Sequence, residues 1–528
     1  MSAFLRSIAL VLAAAALCMP AEARAAKTLV FCSQDSPETL SPDKAASSIA
    51  MDAIRPVFDT LVAFEQGTTD VIPSLATRWT VSADRREYTL TLRDGVAFHS
   101  SPDFTPTRPM NADDVVFTFE RRTRPGVGTN YETFRDPDLG NVVETVTRLD
   151  ERTVRFRLKK ADPEWLAKLA IPVNAILSAE YDHRMMQQGT PERFDASPIG
   201  TGPFRFADFR RDVTIRYQAF DGYWRGRPKI DTLVFSITPT ASARLQKLKA
   251  GECHVAAAPD PGEIAAITTD PALRLQAISG LSIGYLAINT TRKPFDDVRV
   301  RRALAMAIDR EAILSVIYSG TGTLAATPLP EASWANDGSV KPYPYDPEEA
   351  RRLLVEAGVT GGLTIDLWYP PDNRSYNPDA TRMARMIATD LEPLGFMVER
   401  KSAPWEVYWK TLTSGETTLA LAGWIGDTGD PDNFMDTLLG CAATRDDGQN
   451  IARWCNAGYD AVLKKARTVG DTEKRAELYA EAQAIFREQV PWVPIASGRF
   501  LVAMRAEVVN FVMSPLGSHD FSRVDLAE

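Results

Sequence analysis

Histidine and cysteine are scarce in this chain, with four of the first and five of the second in 528 residues. His99, His183, His254 and His519 lie far apart and form no H-E-x-x-H or paired spacing, so no zinc-hydrolase motif is present. Surplus positive charge is also lacking. Sixty basic residues against 69 acidic ones give a formal net charge of −9, which leaves no electrostatic footprint for nucleic acid or an anionic membrane surface. Beyond the first 25 residues, no apolar run approaches the ~20 residues that a transmembrane helix needs. There is no P-loop, no G-x-G-x-x-G opening a helix, no internal repeat and no low-complexity tract. So poor a catalytic inventory in so long a chain favours a binding protein that needs no cofactor.

The N-terminus carries a clear signal. Met1–Arg6 has one positive charge, Ser7–Leu17 is apolar, and Ala21-Glu-Ala23-Arg-Ala25 offers small residues at cleavage spacing. Residues 1–25 thus read as a secretory signal peptide, with the mature, exported chain starting near Ala26 and carrying a net charge of about −10. Lipidation at Cys18 is not expected, because Ala15-Ala16-Leu17 lacks the usual leucine three positions before the cysteine and the small residue just before it. Export gives the four remaining cysteines meaning, since an even number in an oxidising compartment favours disulfides over thiol chemistry. Three connectivities are possible. Cys441 and Cys455 lie 14 apart and suit a local loop, which leaves Cys32 to close on Cys253.

Roughly 500 mature residues exceed what one hydrophobic core usually serves, so two or more domains are expected. In the first third, Tyr88–Arg93 and Thr153–Leu158 alternate as half-buried strands, and Asn111-Ala-Asp-Asp114 caps an apolar-periodic segment, Val115–Arg121. Thr214–Gln218 and Thr232–Thr238 are further strands, with a helix at Ala241–Lys249. After about residue 285, strands alternate with longer helices: Val298–Ile308, Arg310–Tyr318, a helix capped by Asp346-Pro347, Ala380–Leu391 and Thr472–Glu488. The strands between them, Leu363–Tyr369 and Phe396–Arg400, imply an α/β lobe with a largely parallel sheet. A strand-like tail, Phe500–Val512, is expected to return to the first lobe.

Two motifs suggest chemistry and do not sustain it. Gly280-Leu-Ser282-Ile-Gly284 fits the nucleophile-elbow pattern, the basis of an alternative reading as a secreted serine hydrolase. That motif needs strand–turn–helix context, whereas Tyr285–Asn289 reads as a strand and only His519 lies downstream to act as base. Asp427-Thr-Gly-Asp430-Pro-Asp432-Asn433 looks like a cation loop, but Leu438 stands where an EF-hand requires glutamate.

A longer stretch is more specific. Ala76-Thr-Arg-Trp79 through Tyr88-Thr-Leu-Thr-Leu-Arg93-Asp-Gly-Val-Ala-Phe98-His99 resembles the signature of the peptide/nickel class of periplasmic solute-binding proteins, family 5. Asn111–Phe119, Pro198-Ile-Gly-Thr-Gly-Pro-Phe204, Phe220-Asp-Gly-Tyr-Trp224, Gly284–Asn289 and Val298–Leu304 continue the resemblance in order, over essentially the whole mature chain. Lys27–Cys32 and Ile230–Pro239 look most like the dipeptide-binding members.

The resemblance implies an α/β bilobal periplasmic-binding-protein fold of class II, cluster C type, with an extra subdomain in the first lobe. Lobe I would comprise 26–281 plus 499–528, with the subdomain at about 60–200, and lobe II 282–498. It also implies disulfides Cys32–Cys253 and Cys441–Cys455, in agreement with the loop argument. The implied partners are a short peptide, foremost a dipeptide, an inner-membrane ABC permease with its ATPase subunits, and in some relatives a chemoreceptor. The implied state is a periplasmic monomer. In Asn373-Arg374-Ser-Tyr376-Asn-Pro378, Arg374 matches the family's carboxylate-binding arginine. In Gly423-Trp424-Ile-Gly-Asp427, Asp427 matches the aspartate that pairs with the peptide's amino group, and Tyr376 and Trp424 are the expected aromatic walls.

The physics favours such a pair. A dipeptide is a zwitterion, so an enclosed site needs one fixed cation and one fixed anion, and an arginine fork can bond both carboxylate oxygens. One departure stands against it: Ala45–Asp52 does not closely reproduce the dipeptide binders' Gly/Thr-rich stretch. Haem, glutathione or antimicrobial-peptide binding by the same fold is therefore the alternative.

Overall fold

The computed structural model describes residues 26–45, 47–124, 137–446 and 448–527. The leader read at residues 1–25 lies outside them. Eleven strands form one sheet: β1 (Thr28–Ser33), β2 (Phe204–Arg210), β3 (Thr214–Ala219), β4 (Thr232–Ile237), β5 (Val255–Ala257), β6 (Leu273–Ile288), β7 (Gly322–Leu324), β8 (Leu363–Trp368), β9 (Phe396–Lys401), β10 (Leu419–Ile425) and β11 (Trp492–Arg505). Their spatial order is β9-β8-β10-β6-β11-β5-β1-β4-β3-β2, with β7 added on β11.

The two long strands join the halves of the molecule. β6 and β11 run antiparallel from Leu273↔Arg505 to Ala287↔Trp492, with their register shifted between Ser279 and Ile283. At one end β11 pairs with β5 (Ala503↔Ala256), and at the other β6 pairs with β10 (Ile288↔Leu419). The returning tail therefore exists but starts earlier than expected, at Trp492, because Val493–Ala496 pair with β6 before the chain reaches the first lobe. The second lobe's sheet is only partly parallel. β8 lies parallel to β9 and β10, whereas β6 runs antiparallel to both of its neighbours, β10 and β11, because the crossing strands enter from the other lobe.

The cores follow the two-residue period of the strands. Leu286, Ile288, Leu419, Leu421, Val493 and Ile495 enter one buried cluster with the helices Val298–Ala307 and Ala380–Leu391. Their neighbours Tyr285, Ala287, Ala420, Ala422 and Trp492 enter another on the opposite face, against Tyr408, Met435, Tyr459 and Tyr479. The first lobe has its own core, which also covers a separate antiparallel sheet of Ala76–Val81, Glu87–Leu92, Thr153–Leu158 and Val143–Asp150. The helix beside that sheet, Ala112–Thr123, begins at the capping box formed by Asn111 and Asp114. Cys32 bonds Cys253, and Cys441 bonds Cys455. Among the described residues no helix is long and apolar enough to cross a membrane.

Candidate functional site

The segment carrying Arg374 is a tight turn between β8 and the helix Ala380–Leu391. Arg374 N donates to Asn377 O at 3.0 Å and Asn377 N to Arg374 O at 2.9 Å. The turn lies directly on the sheet because three adjacent strands present glycine to it. A Cβ at Gly423 of β10 would fall 2.2 Å from the Tyr376 ring, and one at Gly284 of β6 2.2 Å from Tyr376 O. At Gly498 of β11 it would fall 2.4 Å from Ser375 O. Tyr318 Oη, buried, donates to Tyr376 O at 2.6 Å and fixes the turn from the side.

So held, Arg374 stacks its guanidinium over Trp405, with Cζ 4.1 Å from the ring centroid. Trp405 in turn stacks on Trp409 one helical turn on, at 5.7 Å and 12°. Arg374 Nε is buried with no hydrogen-bond partner, and among the described residues Arg374 enters no ion pair. Tyr376 is 7% exposed and forms the floor beside it.

Asp427 follows β10, where Gly426 N donates to Leu281 O at 2.8 Å and ties the strand's end to β6. Asn433, at the start of the helix Asp432–Leu439, organises the corner. Its Oδ1 accepts from Asp427 N and Trp424 Nε1, both at 3.0 Å, and its Nδ2 reaches Asp427 Oδ2 at 3.4 Å. Burial pushes the Asp427 carboxyl above its ordinary range, opposed by the Asn433 hydrogen bond and by Lys168. Asp430 pairs with Arg475 at 2.8 Å and Asp432 with Arg467, while Asp427 has no ion-pair partner among the described residues.

Both charged residues are therefore tied to β10, Arg374 through the turn resting on Gly423 and Asp427 through the strand's end, each with unspent bonding capacity. Trp424 is half-buried with its indole engaged by Asn433, so it braces the Asp427 corner. Ser282 lies inside β6, fully buried, with its Oγ 3.4 Å from Ser375 Oγ. It does not occupy a strand–turn–helix elbow, and His519 is bonded to Asp52 at 2.5 Å. Among the described residues no cluster of metal-ligating side chains occurs. A groove in the first lobe, lined by Asp59, Tyr223, Arg225 and Asp520, includes neither Arg374 nor Asp427.

Sequence reasoning missed Trp405, Tyr318, Asn433 and the three glycines. The spacing of Trp405 and Trp409 on one helix face was a visible signal for the stack. Nothing local distinguishes Gly284, Gly423 and Gly498, whose roles arise from strand register.

Comparison with known proteins settles the family. The model for bacterial extracellular solute-binding proteins, family 5, matches residues 70–446. The chain belongs to that family. It is 44% identical over 508 residues to the dipeptide-binding protein of Escherichia coli K12, covering 95% of each chain. It is 40% identical over 507 residues to the heme-binding protein A of Haemophilus influenzae, covering 94% of this chain and 92% of that one. The solved dipeptide-binding protein of Pseudoalteromonas sp. SM9913, in complex with Met-Leu, superposes with a TM-score of 0.85 at 34% identity, covering 95% of this chain and 100% of the other. The bilobal fold is thus that of the family's solute-binding proteins.

Proposed function

We propose that this chain is the periplasmic solute-capture component of an ATP-driven importer, binding dipeptides and other short peptides between two closing lobes. One lobe comprises residues 26–281 with 499–528 and the other 282–498. The chain reaches the periplasm through the Sec pathway, acts as a monomer without covalent chemistry, and hands its ligand to an inner-membrane permease with its ATPase subunits.

One observation carries the reading. Arg374 lies in the turn that rests on Gly423 of β10 and Asp427 lies just past the end of the same strand, and among the described residues neither this cation nor this anion has an ion-pair partner. Holding an unpaired charge out of water is costly unless a ligand completes it. A zwitterion with carboxylate toward Arg374 and ammonium toward Asp427 satisfies both, with Tyr376 and the Trp424 corner enclosing its backbone. Haem offers carboxylates to Arg374 but no cation to Asp427, so the pair favours the peptide.

Calorimetry tests this with a free-acid dipeptide, its C-terminal amide, and haem. The acid is expected to bind well, and Arg374→Ala to cost about 2–5 kcal/mol for the acid and far less for the amide. Equal losses for acid and amide would remove Arg374 from the carboxylate role. Strong haem binding without peptide binding would overturn the reading.

A further inference from the structure

Among the described residues, Glu164 and the carboxylates Asp430 and Asp432 interact electrostatically across the cleft with fewer cations than anions around them. Glu164 precedes the short first-lobe helix Trp165–Lys168 and is 4% exposed. Its Oε2 lies 3.6 Å from Lys168 Nζ, while Oε1 is buried with no hydrogen-bond partner. Lys168 is already committed to Asp162 at 2.8 Å. This helix packs beside the strand Val62–Phe64. The loop after that strand abuts the second lobe, where a Cβ on Gly429 would fall 2.1 Å from Thr69 Oγ1. Glu164 is thereby brought within electrostatic reach of Asp430 and Asp432, and Lys168 of Asp427 and Asp432.

The charges do not balance. Among the described residues, Lys168 pairs with both Asp162 and Glu164, Arg467 with both Asp432 and Asp436, and Arg475 with Asp430, while Asp427 enters no ion pair and feels Lys168 only at a distance. A single ligand ammonium leaves this end of the cleft negative. Burial, with the carboxylates Asp430, Asp432 and Asp162 around it, pushes the Glu164 carboxyl well above its ordinary range against the pull of Lys168.

We propose that Glu164 joins Asp427 in reading the amino end of the ligand, so that this chain selects dipeptides whose first residue carries a second cation: lysine, arginine or ornithine. The assignment rests on the dipeptide reading above and adds the ligand class to it. The α-ammonium meets Asp427 and the side-chain cation meets the free Oε1 of Glu164. A neutral first residue leaves Glu164 with only the Lys168 cation that it shares with Asp162, and closure then costs a proton taken up from solvent.

The test uses Lys-Leu and norleucyl-leucine, which match in length and differ in charge. Wild-type protein is expected to bind Lys-Leu about tenfold or more tightly over norleucyl-leucine, as a charge-assisted bond supplies. In Glu164→Gln that ratio should fall to about twofold, through weaker Lys-Leu binding and norleucyl-leucine binding no weaker than in the wild type, with a cooperative thermal unfolding transition showing that the variant folds. Titrations of the wild type in phosphate and Tris should show greater proton uptake for norleucyl-leucine than for Lys-Leu, a readout that needs no variant. Equal affinities and equal proton uptake for the two peptides, or a ratio unchanged in Glu164→Gln, overturn the assignment alone. If neither peptide binds the wild type, the dipeptide reading fails and the assignment falls with it.

Discussion

The guanidinium of Arg374 lies over the indole of Trp405, its Cζ 4.1 Å from the ring centroid. The ring face attracts the cation without using its N–H donors, which stay available to a ligand carboxylate. Trp405→Ala is expected to weaken free-acid dipeptide binding by about 0.5–2 kcal/mol, while Trp405→Phe retains most of it. An amidated dipeptide should be nearly indifferent to either change. Calorimetry on both ligands decides, and equal losses for acid and amide would show that Trp405 supports the fold only.

Gly423 makes the Arg374 turn possible, because a Cβ there would sit 2.2 Å from the Tyr376 ring. Gly423→Ala must push that ring and its turn off the sheet. Overpacking of this kind costs about 1–3 kcal/mol. Binding is expected to fall more than thermal stability, since the displaced segment carries the site. A variant with wild-type affinity would show that the turn is not needed where it lies.

A peptide gripped by Arg374 at its carboxylate and by Asp427 at its ammonium has its length measured by the two charges. Each added residue extends a peptide by about 3.3–3.6 Å, far more than a charge-assisted hydrogen bond tolerates. Dipeptides should bind best, some tripeptides less well, and tetrapeptides hardly at all in competition against a labelled dipeptide. Undiminished tetrapeptide binding would mean that Arg374 and Asp427 do not grip opposite termini.

Asp59 governs a separate pH effect. Burial raises its carboxyl from an ordinary 3.8 to about 6, although Trp224, Thr201 and Tyr223 all donate to it. Between those values the folded chain holds a proton that the unfolded chain has lost. Stability therefore declines as pH rises through that window, by ~3 kcal/mol in all, and the loss is complete above it. Asp59→Asn should flatten this part of the urea-unfolding profile between pH 4 and 7. An unchanged slope would exclude Asp59 as its source.

The two disulfides should differ in worth. Cys32–Cys253 spans 221 residues and Cys441–Cys455 spans 14. Replacing the first pair by serine is expected to cost about 2–5 kcal/mol and the second less, because a longer loop loses more unfolded-state entropy. Unreduced peptide mapping should recover both linkages, and equilibrium denaturation ranks them.

Local chemistry made much of the fold legible. Thr153–Leu158 is a strand and Ala380–Leu391 a helix at the residues read from alternation and apolar spacing, since each pattern is written within the segment itself. Asn111 and Asp346 cap the helices they precede. The parallel sheet expected for the second lobe was a poorer inference. Alternation of strand and helix says nothing of two long strands entering from elsewhere.

By itself, then, the sequence determined the elements, the cysteine pairing favoured by loop length, and the chemical types at the candidate site, through interactions spanning a few residues or a recognisable motif. Only the tertiary structure decided which of them meet. It brought Gly284, Gly423 and Gly498 under one turn, laid Arg374 on Trp405 31 positions away, and set Glu164 within electrostatic reach of Asp430 and Asp432. The reason is register: a strand shifted by one residue turns every side chain to the opposite face, so such meetings are fixed by pairing across the sheet and not by any local run of residues.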